Sequence, residues 1–128
     1  MGLLTLCTGD RTMTTEPIID QEAIENLRAL SPEDDSFFRE IIGVFLEDTP
    51  ARILELKRSH ATGDVATFSR AAHSIKGSSS NLGAARLRSA AERLEHDSKS
   101  HDLAVLGANI PEIEAEFSAA KEELERLL

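Results

Sequence analysis

The sequence contains no Trp and no Tyr, and only five Phe. So few rings leave no stacking platform for single-stranded nucleic acid. One cysteine, Cys7, excludes an internal disulfide and fits a reducing compartment. No apolar run approaches the ~20 residues that span a bilayer. Met1 to Cys7 lacks a basic n-region and is too short for a signal peptide, and Leu6 fails the myristoylation pattern. Basic residues are also scarce, at 14 Lys plus Arg against 23 Asp plus Glu, for a net charge of −9. Such a chain repels phosphate backbones on average. These absences point to a cytoplasmic protein with neither nucleic acid nor membrane as partner.

What is present is enough for one domain. A chain of 128 residues holds a core without staples. Residues 1–15 are expected to be a disordered leader, with Met13 as an alternative start, and residues 16–128 the folded part. The charge is unevenly spread. Between Val65 and Arg88 there is no acid, while Arg70, Lys76, Arg86 and Arg88 all fall there. A basic island in an acidic chain suits an anion or an acidic partner surface.

Almost everything after Thr15 has helical periodicity. Asp20 to Leu30 carries Ile24, Leu27 and Leu30 and is capped by Asp20. Ser31-Pro32-Glu33-Asp34 has the form of a helix start: cap, Pro at the first position, then acids. The helix it opens carries Phe38, Ile41, Ile42, Phe45, Ile53 and Leu56, with a kink or break expected at Pro50 and an end at Gly63-Asp64. Val65, Phe68, Ala72, Ile75, Ser79 and Leu82 then form a regular bundle seam up to Gly83. A fourth helix runs from Ala84 to Lys99. A fifth begins at the cap Asp102 and is expected to kink at Pro111. No stretch alternates with period two. The expected fold is all-α, an antiparallel up-down four-helix bundle with a short extra N-terminal helix.

On a wheel of the third helix, His73 lies about 140° from the centre of the seam, and Gly77 lies opposite that centre. Both face outward. Arg70 shares this face, with Ser69, Lys76 and Ser80 on its shoulder. A mid-helix Gly costs about 1 kcal/mol relative to Ala, so an exposed one has a use only if something must come close. The alternatives are a packing or kink glycine and an ordinary surface histidine. Neutral imidazole is a nucleophile near pH 7, and Lys76, one turn on, is placed to meet an anion.

The stretch Ala71-Ala72-His73-Ser74-Ile75-Lys76-Gly77-Ser78-Ser79-Ser80-Asn81-Leu82-Gly83-Ala84 resembles the histidine-phosphotransfer (HPt) family, whose pattern is A-H-x-[LI]-K-G followed by small residues and a second Gly. The resemblance extends over roughly residues 18–128. It implies that His73 is phosphorylated, that Lys76 contacts the phosphoryl group, and that Gly77 makes room for a receiver domain. Ser69, Arg70 and Ser80 are then candidate docking residues. It further implies an imidazole-orienting Gln or Glu on the next helix, 22 residues after the His, which here is Glu95. A carboxylate there holds Nδ1–H and leaves the Nε2 lone pair outward. The alternative for Glu95 is a solvated residue of an acidic helix.

The expected function is that of a phosphorelay intermediate, a phosphohistidine carrier with no kinase machinery, since the chain has no P-loop or Gly-rich nucleotide loop. Its partners are receiver domains, which bring their own Mg²⁺. The carrier itself needs no cofactor and is expected to be a free-standing monomer. Two other readings stand beside this one. A helical adaptor without chemistry has the same fold. A metal-binding bundle needs paired Glu-x-x-His motifs, and none of His60, His73, His96 or His101 has Glu three residues before it.

Overall fold

The structure, a computed structural model, describes residues 16–128 except His101, with Ala104 described by its backbone alone. The leader expected at residues 1–15, with Cys7 and Met13, lies outside the described residues. The described elements are all helical: α1 (Gln21–Ala29), α2 (Ser36–Thr62), α3 (Val65–Leu82), α4 (Ala85–Ser98), α5 (Leu103–Leu106), a 3₁₀ turn (Gly107–Asn109) and α6 (Ile110–Glu125). In the bundle α2 packs on α3, α3 on α4, α4 on α6 and α6 back on α2. The four long helices close a ring in chain order, and α1 covers one end, as the periodicity required.

The core follows the seams. Phe68, Ala72, Ile75 and Leu82 of α3 are buried with Phe38, Ile42, Phe45 and Leu56 of α2. Leu87, Ala91 and Leu94 of α4 meet Ile113, Phe117 and Leu124 of α6 in the same core. Thr49 and Ser59 also lie on the α2 seam and are buried, although they are polar. The Ser59 hydroxyl solves its burial by donating back to the Glu55 carbonyl at 2.6 Å.

Three expectations about prolines are corrected, and two about seam residues. Ser31-Pro32-Glu33-Asp34 is a turn, not a helix start, closed by Asp34 N–H donating to the Ser31 carbonyl at 3.1 Å. Pro at the second place suits a turn as well as a first helical position. The Asp34 carboxylate accepts from both the backbone N–H and the hydroxyl of Ser36, and α2 begins there. Second, of the kink or break expected at Pro50, the break does not occur, and α2 runs through as one helix. Pro50 lies on the exposed face and removes one hydrogen bond from a helix of 27 residues. Third, Pro111 does not kink one long helix. It sits in the first turn of α6, where a missing N–H costs nothing, and the chain before it is the separate α5 and a 3₁₀ turn. Leu30, expected on the α1 seam, is 67% exposed because the helix ends at Ala29, and Val65, expected on the α3 seam, is 46% exposed at the first residue of that helix.

Two glycines end helices in the left-handed region, Gly63 at φ 75° and Gly83 at φ 71°. Each is followed by a new helix almost at once, so α2, α3 and α4 are joined by very short turns. A Cβ at Gly63 meets open space, whereas one at Gly83 stands 2.5 Å from the Ala23 Cβ of α1. The Asp20 N–H also donates to the Gly83 carbonyl at 2.7 Å, so α1 is seated on this turn. Gly83→Ala is therefore expected to cost about 2–4 kcal/mol, combining left-handed strain with overpacking. Gly63→Ala incurs only the strain, about 1–2 kcal/mol. Denaturant melts of the two variants check this, and equal losses contradict the seating of α1.

Candidate functional site

The site lies on the α3–α4 hairpin. Asp64 opens α3, its carboxylate accepting from Thr67 N–H at 3.1 Å and from the Thr67 hydroxyl at 2.6 Å. That fixes the phase of the helix. Burial of Phe68, Ala72, Ile75 and Ser79 then turns His73, Arg70, Gly77 and Ser80 to solvent. Ser69 and Lys76 are half-buried on the shoulder. The wheel placed all six correctly. The His73 side chain is 63% exposed. Gly77 has nothing within 4 Å of an added Cβ, so among the described residues it is not a packing glycine.

Across the hairpin, α4 presents Glu95, with only 14% of its side chain exposed. Its Oε2 lies 3.0 Å from His73 Nδ1, and its Oε1 lies 3.0 Å from Lys76 Nζ. Thus the surface-residue alternative for Glu95 does not hold. One carboxylate spans the imidazole and the ammonium. Burial alone pushes the Glu95 carboxyl up, but hydrogen bonds from Lys76 and then His73, with their charges, outweigh it and leave the group below the usual carboxylate range. A carboxyl lowered on folding adds stability at pH values above its unfolded range, and that stability is lost as pH falls through the lowered value.

An ionised Glu95 is an acceptor only, so the ring nitrogen facing it carries the proton. In a neutral ring this pairing selects the Nδ1–H tautomer, whose lone pair lies on Nε2. Lys76 is not extended toward Nε2 but rests on Glu95. Arg70 donates to the Thr67 hydroxyl at 3.4 Å and stays exposed on the same face.

The basic island does not act as one site. Arg86 and Arg88 leave α4 on another side and hold the N-terminal segment. Arg86 Nε donates to the Glu16 carbonyl at 2.9 Å, and Arg88 approaches the Glu16 carboxylate at 3.7 Å. Among the described residues no group of His, Cys, Asp and Glu is arranged to hold a metal ion. No helix among them is long and apolar enough to cross a membrane.

One feature beside the site escaped the sequence reading. A cleft of about 310 Å³ runs between α2 and α3, lined by Phe37, Ile41 and Val44 on one side and Ser78, Asn81 and Leu82 on the other. Phe37 and Val44 are 41% and 58% exposed. Ser78 and Asn81 adjoin Gly77 along α3, so the cleft continues the exposed face. The signal was available. Phe37, Ile41 and Val44 stand at i, i+4 and i+7, a second apolar stripe one residue off the buried one.

The model of the Hpt domain family matches residues 40–127. Among solved structures the chain is similar to histidine-containing phosphotransfer protein B from Pseudomonas aeruginosa, at 26% identity and a TM-score of 0.79, over 86% of this chain and 93% of that one. It is also similar in fold to the HPT domain of a sensor hybrid histidine kinase from Shewanella, at 16% identity and a TM-score of 0.67, over 85% and 96% of the two chains. Among curated proteins nothing matches.

Proposed function

The chain belongs to the histidine-phosphotransfer (Hpt) domain family, and on that premise we propose that His73 takes a phosphoryl group from the aspartyl phosphate of one receiver domain and yields it to the aspartate of another. The observation that carries this reading is the pairing of His73 Nδ1 with Glu95 Oε2 at 3.0 Å, which leaves a lone pair on the exposed Nε2. That nitrogen attacks phosphorus. The N–P bond forms as the P–O bond to the donor carboxylate breaks, and the electron pair leaves on the carboxylate oxygen. The ring is held in one tautomer and one orientation before the partner arrives, so no reorganisation is needed in the encounter.

Gly77 is the clearance one turn along α3, and Ser69, Arg70 and Ser80 ring the contact. A receiver seated over His73 and Gly77 also lies along the cleft of Phe37 and Val44, whose exposed apolar surface suits a protein partner. The receiver supplies Mg²⁺ and most of the charge stabilisation, and the carrier needs no cofactor of its own. On this reading the protein works in the cytoplasm, as a monomeric intermediate between receiver domains.

Incubation with a receiver domain carrying labelled aspartyl phosphate tests the proposal. Label is expected to move to this chain in an acid-labile, alkali-stable form and to move on to a second receiver. Failure of transfer from every receiver offered leaves the helical adaptor as the better reading.

A further inference from the structure

Helix α3 carries two cations, Arg70 one turn before His73 and Lys76 one turn after it. They differ in what holds them. Lys76 is neutralised by the Glu95 carboxylate at 3.0 Å. Arg70 is exposed, and its hydrogen bond goes to an uncharged group, the Thr67 hydroxyl, at 3.4 Å. We propose that Arg70 leaves Thr67 and binds the phosphoryl oxygens once His73 carries the group, so that it sets how firmly the carrier holds phosphate against a receiver. This rests on His73 as the phosphoryl-bearing residue and gives Arg70 a task beyond contact with the partner.

The charge around Arg70 is unbalanced in the unphosphorylated protein. From Val65 to Arg88 the sequence offers it no acid. The carboxylate that feels its charge is Asp64, at the start of the helix. That carboxyl lies below its usual range, first through the Thr67 hydroxyl, then through the Thr67 N–H, and further through Arg70. Thr67 stands between the two, donating to Asp64 at 2.6 Å while it accepts from Arg70. The guanidinium is thus parked on a neutral oxygen, at the long end of the hydrogen-bond range, with its anion screened by water. A phosphoryl group brings about two negative charges and three acceptor oxygens. Its bonds to a guanidinium are charge-assisted and match the fork, so it outcompetes the Thr67 hydroxyl.

The helix places Arg70 within reach. Residues three apart have Cβ atoms about 5–6 Å apart. Helical side chains lean toward the N-terminus, so His73 projects over the turn that carries Arg70. Glu95 takes the Nδ1 side of the ring from α4. Gly77 leaves the turn on the other side of His73 clear for a partner. Arg70 therefore meets the phosphoryl group from the turn that the clearance does not use. A contact present only in the phosphorylated state shifts the equilibrium by its whole differential energy. A contact made only with the receiver during the encounter changes transfer equally in both directions and leaves the equilibrium where it was.

The test uses the intact protein and its Arg70→Ala variant, each phosphorylated with phosphoramidate, a small phosphoryl donor to imidazole, and titrates the phosphorus resonance by NMR. A cation at the oxygens favours the dianion, so the second ionisation of the phosphoryl group is expected to move to higher pH in Arg70→Ala. Arg70→Lys keeps the charge without the fork and is expected to fall between the two. With a receiver that exchanges label, the equilibrium ratio of label on the carrier to label on the receiver is expected to drop about fivefold in Arg70→Ala. Coincident titrations of wild type and Arg70→Ala overturn the inference. So does an unchanged equilibrium ratio with both transfer rates altered by one factor, the mark of a docking contact alone. Phosphate mapped to a residue other than His73 overturns the proposed function instead, so the two failures are distinguishable.

Discussion

His73→Gln is expected to accept no phosphate from any receiver while melting within about 0.5 kcal/mol of the wild type, since exposed positions away from caps and the core cost little. Gln has a similar length and can still meet Glu95, but its amide nitrogen is not a nucleophile. The His73 side chain is mostly in solvent and pairs with Glu95. The loss should thus appear in transfer alone. Labelling gels with circular dichroism melts check both halves. Labelling retained in the variant removes His73 from the site. The other described histidines are expected to be dispensable for transfer. His60 has a different task, since its ring occupies the space that a Cβ at Gly107 would need and so packs under the α5–α6 corner.

Gly77→Leu is expected to give the second largest loss and the more unusual combination of effects. A Cβ added at position 77 meets nothing within 4 Å among the described residues. Leu also has the better helix propensity, so the isolated protein should become more stable by up to about 1 kcal/mol. A receiver approaching His73 must pass one turn from that side chain, and transfer is expected to slow at least about tenfold, or ~1.4 kcal/mol in the barrier. Gly77→Ala should show most of the stability gain with a smaller loss of rate. Rates from single-turnover labelling, set beside melts of the same variants, decide it. A Leu variant that transfers at the wild-type rate means that the clearance has no partner to serve.

The sequence displayed the third helix most clearly because its seam, its cap and its terminal glycine agree. Asp64, the regular run from Phe68 to Leu82, and Gly83 all specify the same boundaries, and the outward phase of His73 follows from them. Position 95 was legible only by resemblance. Nothing in the local pattern says that α4 turns Glu95 toward α3 rather than toward water, because that depends on how two helices pack. The double use of its carboxylate was not legible at all, since Lys76 can reach either an incoming anion or Glu95, and only the geometry decides. The proline errors have a common cause. A proline at a second position is compatible with a turn at Pro32, a first helical turn at Pro111 and, on a solvent face, a continuous helix at Pro50. Local chemistry allows all three, and packing of the neighbouring apolar residues selects among them.

The short turns at Gly63 and Gly83 bear on how quickly this molecule reaches its native state. Each long helix packs against its neighbour in the chain, α2 on α3 and α3 on α4, so most loops that must close are short and their entropic cost is small. Helical proteins with such local topology fold on microsecond to millisecond timescales. His73, Lys76, Gly77 and Glu95 all belong to one of these hairpins, closed by the turn at Gly83. Their mutual geometry needs only α3 and α4 to pair, while α6 must still travel round to meet α2. The chemically active face is thus assembled from the part of the chain with the least distance to search.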